Sequence, residues 1–164
     1  MTSIRGLLIS HMIWKNMNHN APHKKHSAAR HRWQNAIFNK DRLPEAYTWS
    51  AETTPGGTAF QRVIRTDTGR TGRVLLYFHG GASRDGLVPS YRNFSTGFFQ
   101  AANGCETIYL DYRCAPDYQY PTQLNEALDL WGDLTKRQGY APDQIILGGD
   151  SAGANLALAL LLKL

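Results

Sequence analysis

The stretch Asp143–Leu164, DQIILGGDSAGANLALALLLKL, decides the fold. Its first part, DQIILGG, is a short apolar run that ends in glycine, which is typical of a β-strand buried on both faces. Its last part, AGANLALALLLKL, is apolar nearly all round and predicts a buried helix. Ser151 lies at the junction, inside the pattern G-x-S-x-G. The sequence therefore predicts a sharp strand–turn–helix with a serine at the turn.

The same alternation of strand and helix patterns runs upstream of this stretch. Apolar runs ended by glycine or polar residues predict two more strands, and a segment of alternating polarity predicts another: RVLLYFHGG at 73–81, ETIYLDYR at 106–113 and AFQRVIRT at 59–66. Two helical patterns lie between them, at 89–103 and 121–139. Strand and helix in alternation predict the α/β class, with right-handed crossovers, a mostly parallel sheet and helices on both faces.

Ser151 is predicted to be a nucleophile. A turn between a strand end and a helix start holds a hydroxyl at the carboxyl edge of the sheet, where ligands of α/β proteins bind. Gly149 and Gly153 are expected because side chains there would collide with neighbouring backbone. Asp150 is expected to make a structural hydrogen bond and not to act as a triad acid. The alternative for Ser151 is a plain helix N-cap.

The stretch HGG, 79–81, is predicted to supply an oxyanion hole. A buried strand that ends in two glycines leaves backbone N–H groups of Gly80 and Gly81 at the same carboxyl edge, where they could stabilise an oxyanion. The N–H of Ala152 would be the further donor. His79 is expected to brace the glycine loop and not to be the general base. The alternative is an ordinary glycine turn.

The stretch DYRCAPD, 111–117, predicts a stiff turn after a strand, with a scaffold role in which Arg113 and Asp117 pair. Cys105 and Cys114 are expected not to pair, because the extended stretch between them spans more than about 20 Å while bridged Cα atoms lie within about 7 Å. Two free thiols suit a reducing compartment, so that a cytoplasmic location is expected.

These three stretches, in this order, resemble the hormone-sensitive-lipase-like branch of the α/β-hydrolase superfamily over roughly residues 73–164. The resemblance implies hydrolysis of a small carboxylic ester by Ser-His-Asp chemistry, with no metal and no cofactor. It also implies the oxyanion roles of Gly80, Gly81 and Ala152 and the nucleophile role of Ser151. The sequence departs from the family pattern at four positions: Ala82, Cys114, Asp117 and Ala154.

The triad acid and base of that family have no counterpart after Ser151, since the last thirteen residues contain no Asp, Glu or His. A serine without a base is a weak nucleophile, so the chain by itself is expected to be inactive or nearly so, as a truncated α/β-hydrolase domain. A base placed in the N-terminal arm, such as His31, is a further alternative. The strand at 144–149 and the helix at 152–162 would lack neighbours. The other functional hypothesis is therefore a non-catalytic binding or regulatory module that pairs this exposed sheet edge with a protein partner.

Charge separates an N-terminal arm, residues 1–45, from the domain, residues 46–164. Residues 1–40 carry seven of the 18 Lys and Arg and no Asp or Glu; the other 124 residues carry 11 basic and 13 acidic side chains. The arm is predicted to be poorly ordered or partly helical, with organelle import as an alternative reading of its composition. The net charge of −2 on residues 41–164 does not predict nucleic-acid binding. No apolar run reaches the about 20 residues that a membrane span needs.

Overall fold

The computed structural model describes residues 43–102 and 104–164, and the predicted N-terminal arm falls almost wholly outside this part. The strands are β1 Tyr47–Thr53, β2 Ala59–Arg65, β3 Val74–Phe78, β4 Glu106–Leu110 and β5 Ile145–Gly149. The α-helices are α1 Ser95–Ala101, α2 Thr122–Gly132 and α3 Ala152–Leu161. A 3-10 helix, Pro89–Phe94, precedes α1, a π-helical turn, Asp133–Arg137, extends α2, and a 3-10 turn, Pro142–Gln144, precedes β5.

The described strands form one mixed sheet in the order β1-β2-β4-β3-β5. The neighbours β4, β3 and β5 are parallel, whereas β1 and β2 form an antiparallel hairpin that joins the sheet through β2 and β4. The predicted α/β class is confirmed, and the parallel part contains the three apolar strands. Strand β1 was not predicted, because its outer position leaves most of its side chains exposed and gives it no apolar run.

Helices cover both faces of the sheet, as predicted. On one face, α2 and α3 bury Leu130 and Leu160 against Leu76 and Phe78 of β3. On the other face, Tyr77 of β3 packs with the rings contributed by α1 and by the 3-10 helix before it. Alternation along β3 sends successive side chains to opposite faces, which explains why this strand is apolar throughout.

Strand β5 ends the described sheet, with β3 as its partner in it. Ile146 is 45% exposed, and Leu158 and Leu161 of α3 are exposed, as is Leu162 directly after it. Among the described strands, β5 is thus an edge strand. The prediction that this strand and helix are fully buried was wrong. Only the side of α3 that faces β3 and α2 is covered, through Leu156 and Leu160.

The loop after β4 is held differently from the expectation. Arg113 forms its ion pair with Glu126 of α2, and not with Asp117. The Glu126 carboxylate also accepts the Arg113 N–H at 2.9 Å, which favours this partner over the exposed Asp117. Cys105 and Cys114 are both free, as predicted. Among the described residues no helix is long and apolar enough to cross a membrane.

Candidate active site

The ends of β3 and β5 bring the predicted site residues together. Phe78 and Gly149 are in register at the carboxyl ends of these parallel strands. The ladder continues for one more step, since the N–H of Asp150 donates to the Phe78 carbonyl at 3.3 Å. The chain then turns into 79–81 on one side and 150–152 on the other, so that both stretches lie at one edge of the sheet.

Ser151 sits on a strained turn with its side chain exposed. Its backbone has φ 51° and ψ −118°, and its hydroxyl makes no capping hydrogen bond to α3. The N-cap alternative therefore lacks its defining contact. The flanking glycines have steric reasons: a Cβ at Gly149 would lie 2.6 Å from the Gly153 carbonyl carbon, and one at Gly153 would overlap the Phe78 carbonyl oxygen.

Backbone strain in the described residues gathers at this edge. The non-glycine residues with positive φ there are Ala82 and Ser83, both at 55°, and Ser151. Such conformations cost free energy and persist where the surrounding structure imposes them, commonly at functional sites. Ala82 stands where the resembling family has glycine, so that this departure adds strain.

The Asp150 carboxylate ties the serine turn to the glycine loop, in the structural role predicted for it. Its Oδ1 accepts the Gly80 N–H at 2.9 Å, the Tyr91 hydroxyl at 3.1 Å and the Tyr77 hydroxyl at 3.3 Å. The Gly80 N–H also donates to the Tyr91 hydroxyl oxygen at 2.9 Å. Burial and the Asp150 charge raise the pKa of Tyr77 and of Tyr91 to about 12.

The predicted oxyanion role of Gly80 does not fit this geometry, because its N–H already has two protein acceptors. The N–H groups of Gly81 and Ala152 have no hydrogen-bond partner within the described part of the chain. These two remain the predicted donors. Tyr91 was missed by the sequence reasoning, since it belongs to no motif and its contact to Asp150 spans 59 positions.

His79 is enclosed beneath the glycine loop. Its Nδ1–H donates to the Gly80 carbonyl at 2.7 Å, and its ring stacks on Tyr112 with 4.0 Å between centroids. The side chain is fully buried, and its Nε2 has no partner among the described residues. Burial lowers the pKa of His79, which favours the neutral ring. A buried imidazole whose donor is committed to Gly80 is poorly placed to deprotonate the exposed Ser151.

A cavity of about 310 Å³ lies beside the serine turn. It is lined from the turn and α3 by Ala152 and Asn155, from the glycine loop by Ser83, and from the loop after β4 by Tyr118 and Tyr120. Its size is at the lower end for small-molecule pockets. The described residues contain no group of three His, Cys, Asp or Glu side chains that could hold a metal ion.

Comparison with known proteins gives one family and a set of esterases. A family model described as an alpha/beta hydrolase fold matches residues 75–164. An acetyl-hydrolase of Streptomyces hygroscopicus is 40% identical over 90 residues, which are 55% of this chain and 29% of that enzyme. A carboxylesterase/phospholipase, LipF, of Mycobacterium tuberculosis is 40% identical over 96 residues, 57% of this chain and 24% of that enzyme.

Solved structures give the same fold. An esterase/lipase from an uncultured bacterium superposes with a TM-score of 0.72 at 22% identity, covering 95% of this chain and 52% of that one. An esterase from the bacterial hormone-sensitive lipase family has a TM-score of 0.69 at 26% identity, covering 95% of this chain and 50% of that one. The chain thus spans about half the length of these structures and a smaller share of the curated relatives.

Proposed function

The chain belongs to the α/β-hydrolase-fold family, and from this premise we propose that it is the nucleophile-bearing portion of a carboxylic-ester hydrolase. The observation that carries the proposal is Ser151, an exposed hydroxyl on a strained turn at the carboxyl edge of the sheet. The relatives include the acetyl-hydrolase of Streptomyces hygroscopicus, which favours a small ester as the substrate. The proposed chemistry uses no metal and no cofactor.

The proposed reaction is acyl transfer to serine. The Ser151 oxygen bonds to the ester carbonyl carbon, the alcohol leaves, and the serine proton goes to a base and then to the departing alkoxide. The carbonyl oxygen becomes negative on the way, and the N–H groups of Gly81 and Ala152 would donate to it. The N-terminus of α3, which begins at Ala152, adds its positive dipole end beside that charge.

The base and the acid of the triad are the missing parts of this proposal. No His, Asp or Glu follows Ser151 in the sequence, and His79 is buried under the loop. We therefore assign the base to polypeptide outside residues 43–164, and we expect the chain alone to be inactive or nearly so, since loss of a triad member costs several orders of magnitude in rate. His31 as the base stays a prediction, because it lies outside the described residues.

Chemical rescue tests the proposal on the chain as it stands. The purified chain is incubated with p-nitrophenyl acetate and increasing imidazole, which supplies the missing base, and acetylation is located by mass spectrometry. We expect imidazole-dependent acetylation of Ser151 at least about tenfold above the level in Ser151→Ala, because the oxyanion donors remain. Ser50→Ala, a change in the distant strand β1, is the matched control and should behave as the unaltered chain.

Acetylation that is equal in the chain and in Ser151→Ala, at every imidazole concentration, would overturn the assignment of the nucleophile. Acetylation without imidazole that is lost in both Ser151→Ala and His31→Ala would instead identify His31 as the base. A downstream reading frame that encodes an Asp and a His in suitable context would support a longer enzyme.

The second candidate function is a non-catalytic module, located in the cytoplasm, that binds another subunit through β5. The exposed Ile146 and the exposed leucines of α3 favour it, since an unpaired strand edge beside apolar surface readily pairs with another chain. Native mass spectrometry across a concentration series tests it. Self-association or a stoichiometric complex that Ile146→Lys abolishes would support this function, and a monomer at all concentrations would contradict self-pairing.

A further inference from the structure

We propose that Tyr91 and Asp150 are positioning residues that together set the direction of the Gly81 N–H, one of the two donors assigned to the oxyanion. The inference rests on the proposed function, since it gives a purpose to contacts that the ester chemistry does not itself use. Neither side chain would touch the substrate in this role. Both would act through the peptide between Gly80 and Gly81.

Gly80 is held at both of its polar groups. Its N–H donates to Asp150 Oδ1 and to the Tyr91 hydroxyl oxygen, each at 2.9 Å, and its carbonyl accepts the His79 Nδ1–H at 2.7 Å. A Cβ at Gly80 would overlap the Asp150 carboxylate, so that only glycine permits this contact. The residue therefore has little freedom to rotate.

The orientation of the Gly81 N–H follows from that restraint. The described cis peptide bonds are both before proline, so the bond between Gly80 and Gly81 is trans. In a planar trans peptide the C=O and the N–H point in opposite directions. Because the Gly80 carbonyl points to the buried His79 ring, the Gly81 N–H points away from it, toward the outer side of the loop, where it has no described partner.

The same carboxylate also fixes the position of the nucleophile. Asp150 immediately precedes Ser151, and its own N–H extends the β5 ladder onto Phe78. One residue thus connects the serine turn to the glycine loop, and a shift of either would be transmitted to the other. Nucleophile and oxyanion donor must lie within a fraction of an ångström of productive geometry, which such a connection provides.

Tyr91 completes the connection from a separate element. It belongs to the 3-10 helix Pro89–Phe94, whose position is fixed by the Tyr109 hydroxyl that donates to the Tyr91 carbonyl at 2.7 Å. The Tyr91 hydroxyl accepts from Gly80 and donates to Asp150, so it uses its proton and a lone pair at once. A phenylalanine here would keep the ring and remove both contacts.

Hydrogen exchange measured by NMR tests the restraint without any need for activity. The variants are Tyr91→Phe and Asp150→Asn, and the matched control is Tyr140→Phe, which removes a buried hydroxyl from the Glu106 network at the other end of the sheet. We expect the Gly80 amide to exchange about tenfold faster in Asp150→Asn, which weakens its bond to a charged acceptor, and several-fold faster in Tyr91→Phe, which removes its bond to a neutral hydroxyl. The control should leave the Gly80 amide unchanged relative to the global exchange rate.

The second measurement on the same variants is the rate of imidazole-rescued acetylation of Ser151. Both variants should reduce the maximal acetylation rate by about tenfold or more with little change in the ester concentration for half-maximal rate, because an oxyanion donor acts in the transition state. Unchanged Gly80 exchange in both variants would overturn the inference whatever the chemistry does. Faster exchange with unchanged acetylation of a reactive Ser151 would also overturn it.

The two proposals fail separately in these measurements. If Ser151 is never acetylated in the unaltered chain, the proposed function fails while the exchange data still decide the restraint. If Asp150→Asn does not fold, Tyr91→Phe supplies both readouts, because it removes one hydroxyl and keeps the packed ring.

Discussion

Two carboxylates at opposite ends of the parallel strands are handled in different ways. Glu106, at the amino end of β4, is 1% exposed and pairs with the buried Arg62 guanidinium while it accepts the Tyr140 hydroxyl. Asp150, after the carboxyl end of β5, is half-buried, and its described partners are neutral N–H and hydroxyl donors. One end neutralises charge with charge, and the other surrounds charge with dipoles.

This difference indicates that the amino end of the strands stabilises the fold, whereas the carboxyl end positions the serine and the backbone N–H groups of the candidate site. A buried ion pair is costly to break, because the surviving charge stays buried without a partner of opposite charge. Neutral donors around Asp150 instead fix the direction of a backbone loop, beside the three strained residues Ala82, Ser83 and the exposed Ser151. Unfavourable backbone conformations occur at the carboxyl end, where the surrounding contacts compensate for their cost.

The largest expected effect on stability comes from removal of the buried carboxylate at the amino end of the strands. Glu106→Ala leaves Arg62 buried without its main partner and should lower the free energy of unfolding by about 3 kcal/mol. Urea denaturation measures it. Asp67→Ala, in an exposed pair with Arg65, is the control and should change little. A loss for Glu106→Ala as small as that of the control would contradict the structural role of the network.

A smaller effect is expected from Gly153→Ala at the carboxyl end. The new methyl would overlap the Phe78 carbonyl oxygen and push α3 away from β3, at a cost of about 2 kcal/mol. Gly132→Ala is the matched helical control, since no atom lies within 4 Å of its added Cβ, and it should stabilise by up to about 1 kcal/mol. Equal thermal midpoints for the two variants would show that the close approach is absent.

Relief of strain should give a gain. Ala82→Gly removes a Cβ from a residue at φ 55° and should stabilise the fold by about 0.5 kcal/mol, after the greater freedom of glycine in the unfolded chain is subtracted. Ala157→Gly inside α3 should destabilise by about 1 kcal/mol. If both glycines destabilise equally, Ala82 is not strained.

The smallest effect is a dependence of stability on acid that originates at His79. Its folded pKa lies below the ordinary 6.5, so the unfolded chain binds more protons just below that value, and stability falls as the pH falls through this window. Urea denaturation at pH 7 and pH 5 should therefore show a shallower loss in His79→Gln than in the unaltered chain. The difference between the two chains cancels the histidines outside the described residues, and identical slopes would contradict the prediction.

Much of the fold could be predicted because it is encoded in local patterns. The apolar runs of β3, β4 and β5 identify parallel strands, of which β3 and β4 are buried and β5 only in part, and the glycines around Ser151 identify the turn by sterics alone. A structural hydrogen bond of Asp150 was expected, but its partners Gly80 and Tyr91 were not. The acceptors of the Gly80 N–H could not be predicted, because a backbone N–H at a strand end is available to an oxyanion only if no side chain elsewhere takes it.

The sequence by itself determined the α/β class and the strand–turn–helix with Ser151 at its apex, because periodicity and local backbone sterics depend on neighbours in the chain. Only the tertiary structure decided that β1 joins the described sheet beside β2, that Arg113 pairs with Glu126, and that Tyr91 and Asp150 hold Gly80. These depend on which of several equivalent polar groups meet after the helices pack, and Tyr91 reaches Asp150 across 59 positions of chain. Packing of distant elements selects among such partners, and no local pattern records that selection.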